Sequence, residues 1–134
     1  MTEQPRLNVD VIDLSNLFGS DVNKRTGKFV LVEHDGHSIL AFGRIDQFEY
    51  HAQILAAVCD RRDIDAGWIR SKELLEIYDR NVTIAGGGWF ELDPVEKTVR
   101  FYGYSTAYGQ YDQIILDDIL SRSPHFESYR IVDF

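Results

Sequence analysis

Residues 28–42 read Lys28-Phe29-Val30-Leu31-Val32-Glu33-His34-Asp35-Gly36-His37-Ser38-Ile39-Leu40-Ala41-Phe42, two runs rich in β-branched and aromatic residues separated by Asp-Gly. Asp-Gly suits a type I′ turn, because both central residues of that turn need positive φ. The segment is therefore expected to be a β-hairpin, with His34 and His37 facing solvent beside the turn. Downstream, Asp46 offers a helix N-cap with Glu49 three residues on as its reciprocal partner. Tyr50, Ile54, Leu55 and Val58 then recur at helical spacing, which predicts a helix over 47–61.

The residues around this hairpin complete the reading. Trp68 to Tyr78 contains Ser71 as a cap and several helix formers, which predicts a second helix around 70–80. Val82-Thr83-Ile84 reads as a strand entering Gly86-Gly87-Gly88, and Trp89 to Leu92 pairs with Thr98 to Tyr102 across the Asp93-Pro94 turn. Gln110 to Arg122 carries Ile114, Ile115, Ile119 and Leu120 on one face and is expected to be helical. Ser123-Pro124 ends it. A last strand is expected over about 126–133. Residues 1–26 mix acids, Pro5, Gly19 and Ser20 with Val11, Ile12, Leu14, Leu17 and Phe18, and are expected to form an arm that packs on the domain 27–134. The expected class is α/β (α+β), a single domain whose mixed, mostly antiparallel sheet is flanked by two or three helices.

Composition narrows the function classes. A chain of 134 residues with 44% hydrophobic and 27% charged residues suits one self-sufficient globular domain. Its single cysteine, Cys59, excludes an internal disulfide, which fits a reducing, cytoplasmic setting. The start has no signal-peptide pattern and no apolar run is long enough for a membrane span. The net charge of −8 disfavours nucleic acid and membrane surfaces as partners. It does not exclude a phosphate-bearing ligand, because screening over about 8 Å leaves the nearby cations and amides to decide binding.

Three features could carry chemistry. Gly86-Gly87-Gly88 fits neither a Walker nor a dinucleotide fingerprint; it is either a bulge or bend between strands or part of a site wall. Tyr102-Gly103-Tyr104-Ser105-Thr106-Ala107-Tyr108-Gly109 leaves a strand and precedes a helix. Its successive amides can form an anion-binding nest, or it is simply an aromatic-flanked connection. His51, one and a half turns into its expected helix, sits where the positive end of the helix dipole favours a neutral ring. It is then a nucleophile or base, or a satisfied core histidine. His125, behind Pro124, is expected at the surface.

Phe48-Glu49-Tyr50-His51-Ala52, Ala85-Gly86-Gly87-Gly88 and the Tyr-Gly-Tyr-Ser-Thr-Ala-Tyr-Gly string 102–109 occur in an order that resembles the Janus/Ocnus family of phosphohistidine phosphatases. Gly27-Lys28-Phe29-Val30-Leu31-Val32 is similar to that family's first core strand, so the resemblance runs from residue 27 to the C-terminus. It implies removal of phosphate from histidine, and also lysine, side chains of a protein or peptide by a monomeric enzyme needing no metal or cofactor. It implies that His51 is the essential histidine and that Ser105, Thr106 and Ala107 cradle phosphate. Lys28 and Arg44 would supply positive charge, with Gly86, Gly87, Gly88, Trp89 and Tyr104 as walls.

This chain departs from the family pattern at four places. Trp89 stands where the family has an arginine after the triple glycine, Arg44 is one residue from another family arginine, and Gln113 replaces a histidine. The segment about 63–80 is an insertion. Two alternatives follow: a phosphoprotein-binding or regulatory member with weakened catalysis, and a hydrolase or transferase acting on a phosphorylated small molecule with Trp89 stacked on its ring.

Overall fold

Asp35 and Gly36 take φ of 49° and 78°, the positive pair that a type I′ turn demands, and join β2 (Arg25–His34) to β3 (His37–Arg44). The computed structural model describes residues 8–18 and 24–132. Within them, β2 and β3 are interior strands of a six-stranded sheet with β1 (Asn8–Asp13), β6 (Val82–Asp93), β7 (Thr98–Tyr102) and β8 (Arg130–Ile131), in the order β1-β3-β2-β6-β7-β8. β1 pairs with β3 and β7 with β8 in parallel, and the other pairings are antiparallel. β4 (Ala66–Arg70) and β5 (Leu74–Ile77) form a separate antiparallel pair. The molecule is thus a mixed α+β single domain.

The central strands are apolar on both faces because each face carries a helix. Val30, Val32, Ile39 and Ala41 pack under α1 (His51–Arg62) against Ile54, Leu55 and Val58. Phe29, Leu31, Leu40 and Phe42 face the other way, toward Leu116 and Ile119 of α2 (Gln113–Arg122). This period-2 alternation lets one hairpin supply both cores. Each fully buried large side chain contributes about 1.5–3 kcal/mol. Among the described residues no helix is long and apolar enough to cross a membrane.

Several expectations need correction. Of the expected arm over residues 1–26, residues 1–7 and 19–23 lie outside the described residues, and 8–13 are strand β1. Val9 and Val11 face one core and Ile12 the other, and an Asp10–Arg62 ion pair at 2.9 Å ties the strand to the end of α1. The first helix starts at His51, not 47. Tyr50, not Asp46, is its N-cap, with the Tyr50 N–H donating to Gln53 Oε1 at 2.9 Å, while Asp46 pairs with Arg44. α2 likewise starts at Gln113, because the Asp112 carboxylate accepts from the Ile114 and Ile115 amides.

The helix expected around 70–80 is instead the β4–β5 hairpin. Ser71 takes a φ of 43°, which turns the chain back, and the Tyr108 hydroxyl accepts from Leu75 N–H at 2.9 Å and donates to Leu75 C=O at 3.1 Å. Tertiary anchoring of this kind outweighs local helix propensity, which spans only a few tenths of a kcal/mol per residue. The last strand shrinks to Arg130–Ile131 behind a 3₁₀ turn at Pro124–Phe126, and residue 133 lies outside the described residues. His34 is buried rather than solvent-facing. Its Nδ1 accepts from Arg62 Nε at 2.9 Å, while His125 is exposed as expected.

Candidate active site

The triple glycine lies inside the continuous strand β6, where the pairing with β2 slips by one residue between Val30 and Val32. β7 pairs with β6 only from Trp89 onward, so the edge of β6 along the glycines is open to the returning loop. There Gly87 N–H donates to Gly109 C=O at 3.2 Å and Asp112 N–H to Ala85 C=O at 2.9 Å. A Cβ on Gly87 would lie 2.5 Å from the Phe29 carbonyl oxygen, 3.1 Å from His51 Cδ2 and 3.4 Å from Ser105 Cβ. The start of α1 and the loop after β7 therefore approach the same glycine. The bulge is where these parts meet, and the expected wall residues Gly86, Gly87 and Gly88 are not themselves among those that line the cavity there.

The cavity formed at this junction holds about 500 Å³ and is lined by Lys28, Tyr50, His51, Glu73, Leu74, Trp89, Tyr104, Thr106 and Ala107. His51 is the first residue of α1 rather than a turn and a half inside it. The residue is only 7% exposed, with Nε2 2.8 Å from the Gly88 carbonyl oxygen. A carbonyl only accepts, so Nε2 carries the proton of the neutral ring and Nδ1 keeps its lone pair. Nδ1 makes no hydrogen bond among the described residues, nor is it a sealed atom. Burial lowers the pKa of this histidine below 6.5 and the Lys28 charge adds to that, with the Gly88 carbonyl opposing. The positive end of the helix dipole acts in the same direction.

The loop after β7 is held in shape by its own backbone. Gly103 and Gly109 take positive φ (74° and 85°), Ser105 N–H donates to Gly109 C=O at 3.1 Å, and Gly109 N–H donates to Ser105 C=O at 2.8 Å. Ser105 Oγ accepts from Tyr108 N–H at 3.1 Å, and Ser105 is 1% exposed. Of the three residues expected to cradle phosphate, Ser105 therefore closes the loop from behind, with only its hydroxyl proton left to donate. Thr106 and Ala107 sit exposed at the apex on the cavity wall, and their amides have no acceptor among the described residues. Two adjacent N–H groups of this kind suit an anion.

Lys28 extends from β2 into the cavity, where its ammonium donates to the Glu49 carbonyl and lies 4.9 Å from the centre of the Trp89 ring. Burial lowers its pKa, and the Glu49 charge offsets part of that. Trp89 supplies no fork of donors; it gives Lys28 an aromatic face and rests against Gly103. Arg44, expected beside Lys28, does not line the cavity. It ends β3 and pairs with Asp46 at 2.9 Å, so Lys28 lines the cavity without it.

Tyr50, Glu73 and Leu74 were not expected here. Tyr50 sits next to His51 in sequence but reads as part of an apolar helical stripe. Glu73 and Leu74 arrive only because the insertion is a hairpin whose tip reaches the cavity rim. Lys72 fastens that tip by pairing with Glu49 Oε2 at 3.3 Å. Among the described residues no group of three or more His, Cys, Asp or Glu side chains is gathered to hold a metal ion.

A sheet between two helices, with a histidine and loop amides that have no acceptor among the described residues at one cavity, defines a small α+β protein with a histidine-bearing pocket. The chain belongs to the Janus/Ocnus family, whose sequence model matches residues 21–130. No curated protein matches it.

Proposed function

We propose that this protein is a phosphohistidine phosphatase, acting also on phospholysine, whose substrate is a phosphorylated side chain of another protein. One observation carries the reading: the His51 Nδ1 lone pair belongs to a ring that lines the same cavity as the Thr106 and Ala107 amides and Lys28. The amides and the ammonium would stabilise charge on the phosphoryl oxygens, which is the main need of a loose phosphoryl-transfer transition state. His51 Nδ1 would then attack phosphorus in line, or take the proton of an attacking water. Both roles need a neutral ring, which burial favours. A phosphoramidate leaves easily once its nitrogen is protonated, so positioning and electrostatics supply most of what the reaction requires.

Incubation of the protein with a phosphohistidine peptide tests this. Phosphate release is expected, and His51→Ala should lower the rate by roughly 10²–10⁴-fold. The acid limb of kcat/KM should fall below the ordinary histidine value of 6.5, because His51 is held neutral by burial. Release unchanged in His51→Ala would remove the histidine from the mechanism.

A second reading is favoured by Trp89 and by Arg44 turning to Asp46. These leave the cavity without the guanidinium donors that the family resemblance implies. In that reading the protein binds phosphohistidine peptide and does not turn it over, and binding without phosphate release would select it.

A further inference from the structure

The cavity lining is of two chemically opposite kinds, which meet where Lys28 lies over the Trp89 and Tyr50 rings. One carries the Thr106 and Ala107 amides and the Lys28 ammonium, and suits an anion. The other is built from the aromatic rings of Tyr50, Trp89 and Tyr104 and the carboxylate of Glu73. Aromatic faces together with a carboxylate attract cations. This lining already does so with the chain's own lysines: Lys28 Nζ lies 4.9 Å from the Trp89 ring centre and 5.9 Å from that of Tyr50, and Lys72 Nζ lies 5.8 Å from the Tyr50 ring centre. Both lysines are committed to Glu49, through its carbonyl and its carboxylate. Glu73 is exposed and belongs to the hairpin tip, between Lys72 and the lining residue Leu74. The Tyr50 phenol has its pKa raised, by Glu49 first and by Glu73 after it. A carboxylate has lone pairs for more than one donor. A ligand that is anionic alone leaves the Glu73 side unfavourable, whereas one bearing a phosphoryl group and a protonated nitrogen matches both kinds of lining.

We propose that Glu73 is a specificity-determining residue that accepts a hydrogen bond from the protonated leaving nitrogen base, and so selects N-phosphorylated over O-phosphorylated substrates. The inference rests on the phosphatase reading of the cavity. In the step it assists, His51 Nδ1 forms a bond to phosphorus as the P–N bond breaks, and the electron pair of that bond returns to the departing ring nitrogen. The departing imidazole carries one proton, on its other nitrogen, and leaves neutral; water then releases phosphate from His51. The reactive substrate holds one proton more than the resting phosphohistidine, and Glu73 stabilises that proton. A phosphoserine or aryl phosphate has no such N–H.

Wild type and Glu73→Gln are compared on a phosphohistidine peptide and on p-nitrophenyl phosphate, with thermal melts confirming that both are folded. The ratio of kcat/KM between the two substrates is expected to fall about tenfold in Glu73→Gln, the size of one charge-assisted hydrogen bond at a solvated rim. Hydrolysis of the aryl phosphate should hold or rise, because a repelling charge is removed. The alkaline limb of kcat on the peptide should move to lower pH, since the bound ring loses the group that keeps it protonated. An unchanged ratio and limb with an active wild type would overturn the role of Glu73 while the phosphatase reading stands. A wild type inactive on both substrates would overturn both.

Discussion

Gly87 sets how closely three parts of the chain converge, and its missing side chain is the condition for the cavity. Its neighbours at the Cβ position are a backbone oxygen at 2.5 Å, the His51 ring and the Ser105 side chain, none of them the free end of a flexible chain. Gly87→Ala should therefore cost about 1–3 kcal/mol, as overpacking of a closed site does, and should tilt the His51 ring off the Gly88 carbonyl. Gly36 provides the comparison, because it has positive φ (78°) but nothing within 4 Å of its Cβ position. Gly36→Asn should cost less, since asparagine tolerates that conformation. Urea unfolding of the two variants checks the ranking, and equal losses would mean that the close approach adds nothing at Gly87, whose φ is not in the left-handed region. Buried Cys59 takes no part in this chemistry: burial pushes its thiol up to about 11, with Asp60 adding to the shift, and leaves it inert at neutral pH.

The β4–β5 hairpin is anchored by a side chain from the loop after β7. The Tyr108 hydroxyl meets both the N–H and the C=O of Leu75, at 2.9 and 3.1 Å, so one phenol replaces a pair of sheet hydrogen bonds. Burial raises the Tyr108 pKa, with the Leu75 hydrogen bond opposing, so the phenol stays protonated and able to donate at neutral pH. Tyr108→Phe leaves two backbone groups of the buried Leu75 without their partner and should cost about 1–3 kcal/mol. The loss should be local, appearing as faster hydrogen exchange of the Leu75 amide with little change at Val30 or Leu40, which sit in the sheet centre. Exchange accelerated equally everywhere would show that the hairpin unfolds only with the whole domain. This is also where sequence reading is weakest. Lys72-Glu73-Leu74-Leu75-Glu76 has good helix propensity, and its pairing with β4 and Tyr108 is non-local, so no pattern within the segment announces it. The central hairpin is legible for the opposite reason: Asp35-Gly36 fixes its turn locally and its apolar runs are long.

At the scale of the whole molecule, the same contrast decides how much of the site is visible in advance. His51, Lys28, Trp89, Tyr104, Thr106 and Ala107 lie on distinctive short motifs, and the fold brings all of them to one cavity. Arg44 has no such motif, and its local bond to Asp46 turns it away. Tyr50 and Glu73 become visible only when the insertion is placed in space. The long-range field, by contrast, is fixed by composition: net charge is −8, so a phosphorylated, acidic ligand approaches against repulsion until it meets Lys28 and the loop amides. Raising ionic strength from ~10 to ~150 mM shortens the Debye length from about 30 to about 8 Å. That removes the repulsion felt at a distance and affects the short contacts inside the cavity less. Association with a phosphohistidine peptide should accordingly speed up by about two- to fivefold over this range, the reverse of a basic phosphate-binding surface. Stopped-flow measurement with a labelled peptide checks the sign. If the rate falls as salt is added, attraction by the Lys28 wall outweighs the repulsion of the net charge during approach.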